Sequence, residues 1–248
     1  MAAVAPIASR TCRGLIHVIE SVQMSTTLMR AISLSLLAIL LVSGMAHAQR
    51  GGEQGGTLYR IDPRTSDVRL LVFRDGVLST FGHNHVVSLK QFTGTIRLQP
   101  KLAQSTFELD IPVDRLAIDD AEVRRQEGEN FASQPSESDI AGTRTNMLST
   151  ALLSAVHFPS IKVRGTSGPV DHNNSATLEL SVQIVGQDIM LSIPATLKLD
   201  GDQLEASGAL ALSHQQLGLK PFTALLGSLR VAERMQFKYR IRASKVTK

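Results

Sequence analysis

Long stretches of the chain alternate apolar and polar residues with a period of two. Phe92, Gly94, Ile96 and Leu98 fall on one face, opposite Thr93, Thr95 and Arg97. Phe107, Leu109, Ile111 and Val113 then alternate with Glu108, Asp110 and Pro112. Residues two apart in extended backbone point the same way, so each run predicts a half-buried strand and the two together a hairpin. Past Phe158 the alternation is almost continuous. Ile161 and Val163 begin it, followed by Leu178, Leu180, Val182 and Ile184, and then by the odd positions from Ile189 to Leu199. The even positions from Leu204 to Leu212 and the set Met235, Phe237, Tyr239 and Ile241 complete it. Gly168 to Asn174, Gly186-Gln187-Asp188 and Asp200-Gly201-Asp202 separate these runs as turns. Upstream, Leu58 to Ile61 is a short strand and Asp62-Pro63-Arg64-Thr65 a turn. In Val68 to Phe73 the alternation is incomplete: Leu71 and Phe73 are apolar on the face of Arg69, which predicts a strand covered on both sides.

The period changes between Asp119 and Leu153. Ser136 and Asp139 have the spacing of a capping box, and Ile140, Arg144, Met147, Leu148 and Leu152 follow at helical intervals. A second helix is expected within Ala121 to Phe131, with the charge run Glu122 to Arg125 as its solvated face. About eight strands joined by short turns, with one or two inserted helices, make a mainly β protein: an antiparallel sandwich or a closed barrel. Strands this long and one-sided favour closure, which removes exposed edges, and an eight-stranded barrel has room for one small ligand.

The first fifth of the chain does not fit this pattern. Met24 begins a signal-peptide grammar, with Arg30 as the positive region, the apolar run Ala31 to Val42 and the cleavage sequence Ala46-His47-Ala48. The run is shorter than the roughly 20 residues of a membrane-spanning helix, so export into the periplasm is expected. Met1 to Gln23 reads as an extension from an upstream start codon, and residues 49–56 as a flexible leader to a domain spanning 57–245. Cleavage after Ala48 removes Cys12, the single cysteine, which leaves no disulfide or thiol chemistry and makes one packed core necessary. It also removes three arginines and one glutamate from totals of 26 basic and 22 acidic residues, leaving a net charge of only +2. A nucleic-acid partner is not expected, because Lys238, Arg240 and Arg242 merely alternate with apolar residues instead of forming a basic face.

Candidate chemistry is densest at Gly82-His83-Asn84-His85. In extended backbone His83 and His85 share a face and Asn84 points away. His214 continues the inward phase of Leu204 to Leu212. These three histidines have the residue types for a three-ligand metal site with an open position, as in a metalloprotein or redox partner. They equally suit hydrogen bonding to a ligand's polar head, or ordinary structural bonds to backbone. His157, before Phe158-Pro159, reads as structural and His172 as exposed. Ser79, Ser88 and Ser213 lack a G-x-S-x-G context. Asp119 and Asp120 are adjacent only in sequence, with a loop as their simplest setting. The apolar segment Pro221 to Gly227 is either a lid over one end or a helical turn packed on the barrel.

The order of several short motifs resembles that of the YceI-like family of exported lipid-binding proteins. They are Tyr59-Arg60-Ile61-Asp62-Pro63 followed by Ser66-Asp67-Val68, Phe92-Thr93-Gly94, His157-Phe158-Pro159-Ser160-Ile161 after the helix, and Leu217-Gly218. The resemblance spans Leu58 to Ala243 and implies a lipocalin-like barrel that holds a polyisoprenoid or isoprenoid quinone, with no catalysis or other cofactor required. Where many members have an arginine before the late glycine, this chain has His214-Gln215-Gln216-Leu217-Gly218. On this reading the ligand's head meets His83, Asn84, His85 and His214. Its tail meets Phe92, Phe107, Met147, Leu180 and Phe222, and transient contact with a membrane is expected.

Overall fold

The computed structural model describes residues 55–247. The expected signal peptide, the extension before it and most of the leader lie outside the described residues. The first strands are β1 (Thr57–Ile61), β2 (Asp67–Val72), β3 (Arg74–Asp75), β4 (His85–Leu89), β5 (Thr93–Leu98), β6 (Thr106–Pro112) and β7 (Leu116–Ile118). Two helices, α1 (Ala121–Gln126) and α2 (Glu137–Leu148), come next. The remaining strands are β8 (Ser160–Val170), β9 (Ser175–Ile184), β10 (Gln187–Asp200), β11 (Gln203–Ser213), β12 (Thr223–Ala224), β13 (Leu229–Val231) and β14 (Arg234–Lys245).

The circuit β1-β5-β6-β8-β9-β10-β11-β14 returns to β1 through antiparallel pairings, so the sheet is a closed barrel of 8 strands. Closure leaves no strand edge open along that circuit. Three of its staves are interrupted by jogs. β14 pairs on one side with β11 along its length, and on the other with β1 through Ala243–Lys245 and with β2 through Gln236–Arg240. β1 and β2 therefore run end to end in one stave, as do β5 and β4, and β6 and β7. Asp62-Pro63-Arg64-Thr65 does turn the chain, but within a stave and not between antiparallel neighbours. Asp62 N and Ser66 Oγ keep this jog fastened to β14, through bonds of 2.9 Å to Arg242 O and 3.0 Å from Arg242 N.

The apolar faces read from the alternation line the barrel interior: Ile96, Ile111, Leu178, Leu180, Val182, Ile193, Leu197, Leu204 and Tyr239 are buried in one cluster. Phe107 packs over its cross-strand partner Gly165, where an added Cβ would lie 2.4 Å from the Phe107 ring. A second, smaller core lies outside the barrel wall. There Leu71 and Val86, on the outer face of β2 and β4, are covered by Val123 and Phe131, with Phe73 alongside. The two-sided covering expected of the second strand is thus present, and α1 with the turn after it supplies the cover. Asp120 caps α1 by accepting bonds from Glu122 N and Val123 N. The expected capping box of Ser136 and Asp139 starts α2, although the helix ends at Leu148, before Leu152. Among the described residues no helix is long and apolar enough to cross a membrane.

Candidate functional site

The barrel encloses a cavity of about 460 Å³. Its wall is made mostly of leucine, isoleucine, valine and phenylalanine side chains from the strands, with Asn146, Met147 and Leu152 of the α2 region along one side. The end where β10–β11 and β8–β9 turn is spanned by short loops. At the other end, longer connections before β4, between β7 and β8, and between β11 and β14 frame a mouth. There β12, β13 and β3 form a separate three-stranded sheet, which presents Arg74, Phe222, Leu229, Arg230 and Val231 to the cavity.

His83, His85 and His214 all reach the cavity. His85, the first residue of β4, has its Nδ1 at 2.6 Å from Asp119 Oδ2. Asp119 is held in turn by Val86 N at 2.9 Å and Arg124 Nη1 at 2.5 Å, both on Oδ1. The Asp119 and Arg124 side chains are 0 % exposed, so this ion pair is completely withdrawn from water. Arg124 also donates from Nη1 to Asn84 O and from Nη2 to Ser133 O, and lies 5.7 Å over the Phe131 ring. Two opposite charges, fixed by bonds to Val86 N, Asn84 O and Ser133 O, thus aim one imidazole. With Nδ1 on the carboxylate, His85 Nε2 is the atom left for a ligand. Burial, the largest single influence, would raise the Asp119 pKa, but bonds from His85, Val86 N and Arg124 together hold it below the usual carboxylate range. Asp119 adopts φ 55°, a left-handed conformation disfavoured for a non-glycine residue, and it does so beside the cavity mouth.

His83 is more open: its Nε2 lies 3.6 Å from Asp139 Oδ2, and its ring centroid 6.3 Å from that of His85. His214 is buried, with Nδ1 at 3.2 Å from Glu233 O. The metal-site arrangement considered for these residues does not assemble. Among the described residues no three histidine, cysteine, aspartate or glutamate side chains form a metal-binding group.

Phe107, Met147, Leu180 and Phe222 line the cavity as expected. Two expected contacts do not. Asn84 turns away from the cavity and ties the mouth together, accepting from Arg74 N and donating to Asn130 O. Phe92 is buried in the core within the jog between β4 and β5, and so falls off the cavity wall. The charge run of α1 also divides differently from its expected solvated face: Glu122 and Arg125 are exposed, whereas Arg124 is buried. His157 is structural, bonded to Ser154 Oγ at 3.1 Å, and His172 is exposed. Pro221 to Gly227 is not a plain helical turn, since it contributes β12 and a short 3-10 turn to the sheet at the mouth.

The chain matches no protein-family model and no curated protein sequence. Among solved structures it is similar to Burkholderia cenocepacia BcnA, at 15 % identity and a TM-score of 0.54, over 74 % of this chain and 99 % of that one. It is also similar to the Campylobacter jejuni YceI protein, at 9 % identity and a TM-score of 0.46, over 65 % of this chain and 85 % of that one. In fold, the chain is a closed eight-stranded antiparallel barrel like that of BcnA.

Proposed function

We propose that the protein is exported to the periplasm and there holds one isoprenoid lipid, a polyisoprenoid or an isoprenoid quinone, as a carrier or reservoir. The observation that carries this reading is the cavity: about 460 Å³ of enclosed, almost wholly apolar space, within the ~300–1,000 Å³ usual for ligand pockets. Such a space favours a hydrocarbon tail, at about 0.8 kcal/mol for each methylene taken from water, less the cost of ordering a flexible chain. The head group lies at the mouth, where His85 Nε2, His83 and His214 are within reach together with Arg74 and Arg230. Nothing in this reading needs a reaction. The buried ion pair behind His85 serves to orient it, because an imidazole free to rotate at the rim would give little head-group selectivity.

Titration of the delipidated protein with a long-chain isoprenoid, read by native mass spectrometry, tests the proposal. One lipid per chain is expected, with saturable binding. Leu180→Trp, which fills part of the cavity, is expected to weaken it by about tenfold, the equivalent of roughly two methylenes displaced. Binding of several lipids without saturation, or binding indifferent to Leu180→Trp, would contradict an interior site.

A further inference from the structure

Four large apolar side chains stand in solvent at one side of the barrel mouth. Val77, Phe81, Leu225 and Leu226 have relative exposures between 62 % and 107 %, although these residue types ordinarily lie inside. Two loops bring them together. Val77 and Phe81 follow β3, while Leu225 and Leu226 form the turn between β12 and β13. β3 pairs with β13, Leu78 N donates to Ser228 O at 2.9 Å, and Val77 and Leu226 border the same surface hollow. The backbone is costly here as well. Leu225 and Leu226 have φ 50° and φ 55°, two successive left-handed residues where glycine would be easier. Neither leucine is repaid by packing, and the same small sheet lines the cavity on its inner side through Phe222, Leu229 and Val231. The exposed tip is therefore continuous with the entrance.

The charges around the tip favour one partner. The loops 73–84 and 214–234 carry Arg74, Lys220, Arg230 and Arg234 against Asp75 and Glu233. Arg230 pairs with Asp75 at 2.8 Å, and the acidic groups nearest these loops, Asp139 beside His83 and Glu129 next to Asn130, which bonds Asn84, lie at the His83–Asn84 end of the first loop, away from its Val77 tip. Apolar residues on protruding loops with basic neighbours suit insertion at the headgroup boundary of an anionic bilayer. A stable protein interface needs about 800 Å² from each partner, more than two loop tips supply. We propose that this tip is a membrane-docking surface, in which the Val77–Phe81 and Leu225–Leu226 loops enter the interfacial region of a phospholipid bilayer and set the cavity mouth against it. The use of such docking rests on the lipid-binding reading, but the contact itself needs no isoprenoid.

The chain has no tryptophan, so one introduced indole reports alone. Leu226→Trp, mixed with anionic phospholipid vesicles free of isoprenoid, is expected to shift its emission to the blue. Leu199→Trp, exposed near the far end of β10, is expected not to. Adding Val77→Asp to Leu226→Trp should weaken vesicle binding by about tenfold or more, with unchanged far-UV circular dichroism and unchanged uptake of an isoprenoid delivered in detergent. No shift at position 226, equal shifts at 226 and 199, or a shift without vesicles that grows with protein concentration and marks self-association would each overturn the proposal. If wild-type protein takes up no isoprenoid from detergent, the carrier reading fails while the vesicle result still decides docking.

Discussion

Replacing Arg124 with methionine removes one half of an ion pair that has no contact with water and leaves the other half in place. Methionine keeps much of the apolar stem, so the loss is concentrated in the guanidinium and its bonds to Asp119, Asn84 O and Ser133 O. Breaking a buried pair from one side costs about 3–5 kcal/mol. The lower end applies here, because Asp119 retains His85 and Val86 N as partners. A loss of about 3 kcal/mol lowers the melting temperature by roughly 6–12 °C in a domain of this size. Urea unfolding followed by far-UV circular dichroism measures it without an intrinsic tryptophan. The double variant Asp119→Leu with Arg124→Met leaves no orphaned charge and is expected to cost less than the two single losses added together. The pH dependence has a definite sign. Asp119 has a depressed folded pKa, so its contribution is present above the unfolded value of about 3.9 and is lost as pH falls through the folded value. Arg124→Met raises the folded value toward the unfolded one, so its acid-side loss should be smaller than that of wild type and complete at a higher pH. A change under about 1 kcal/mol for Arg124→Met, the range of a surface pair, or strict additivity in the double variant would refute the reasoning.

Gly208→Ala is expected to cost about 1–3 kcal/mol in the same urea assay, because its Cβ would lie 2.4 Å from Pro194 O and 2.7 Å from the Tyr239 hydroxyl. The loss should include the 2.6 Å bond from Tyr239 to Pro194 O, and an unchanged midpoint would contradict this packing. His85→Ala is expected to reduce affinity for an isoprenoid with a polar head by about tenfold, the worth of one hydrogen bond, and to leave a head-free hydrocarbon analogue unaffected. Equal effects on both ligands would remove His85 from head recognition. Phe222→Ala opens the mouth and should speed ligand release several-fold in a stopped-flow transfer assay; an unchanged rate would show that Phe222 does not gate the exit.

The barrel was legible because its information is local. Each strand carries its own inward and outward faces, so the alternation placed Leu180, Phe107 and even His214, two residues past Leu212, on the correct side without knowledge of their partners. The apolar Leu71 beside Arg69 likewise announced a second cover, and Ser136 with Asp139 announced a helix start. Where meaning depended on distant chain, the same reasoning stopped. Asp62 to Thr65 has the residues of a turn whether it reverses a strand or offsets one within a stave, and only the pairing of both β1 and β2 with β14 separates the two. Asp119 and Arg124 resembled loop and surface charges because their partners, His85 and Asn84, lie 34 and 40 residues away. The usable sign was the pattern of α1 itself: Asp120 caps a short helix whose Val123 faces inward, and Arg124 beside it turns toward the buried carboxylate.

What occupies the barrel decides whether the protein is a lipid carrier. Purified protein, extracted into organic solvent and analysed by mass spectrometry beside metal analysis of the same sample, gives the most direct answer. A single class of isoprenoid lipid at close to one per chain, without stoichiometric metal, is the predicted result. Stoichiometric metal with no lipid, or an interior that yields neither lipid nor affinity for added isoprenoid, would contradict it.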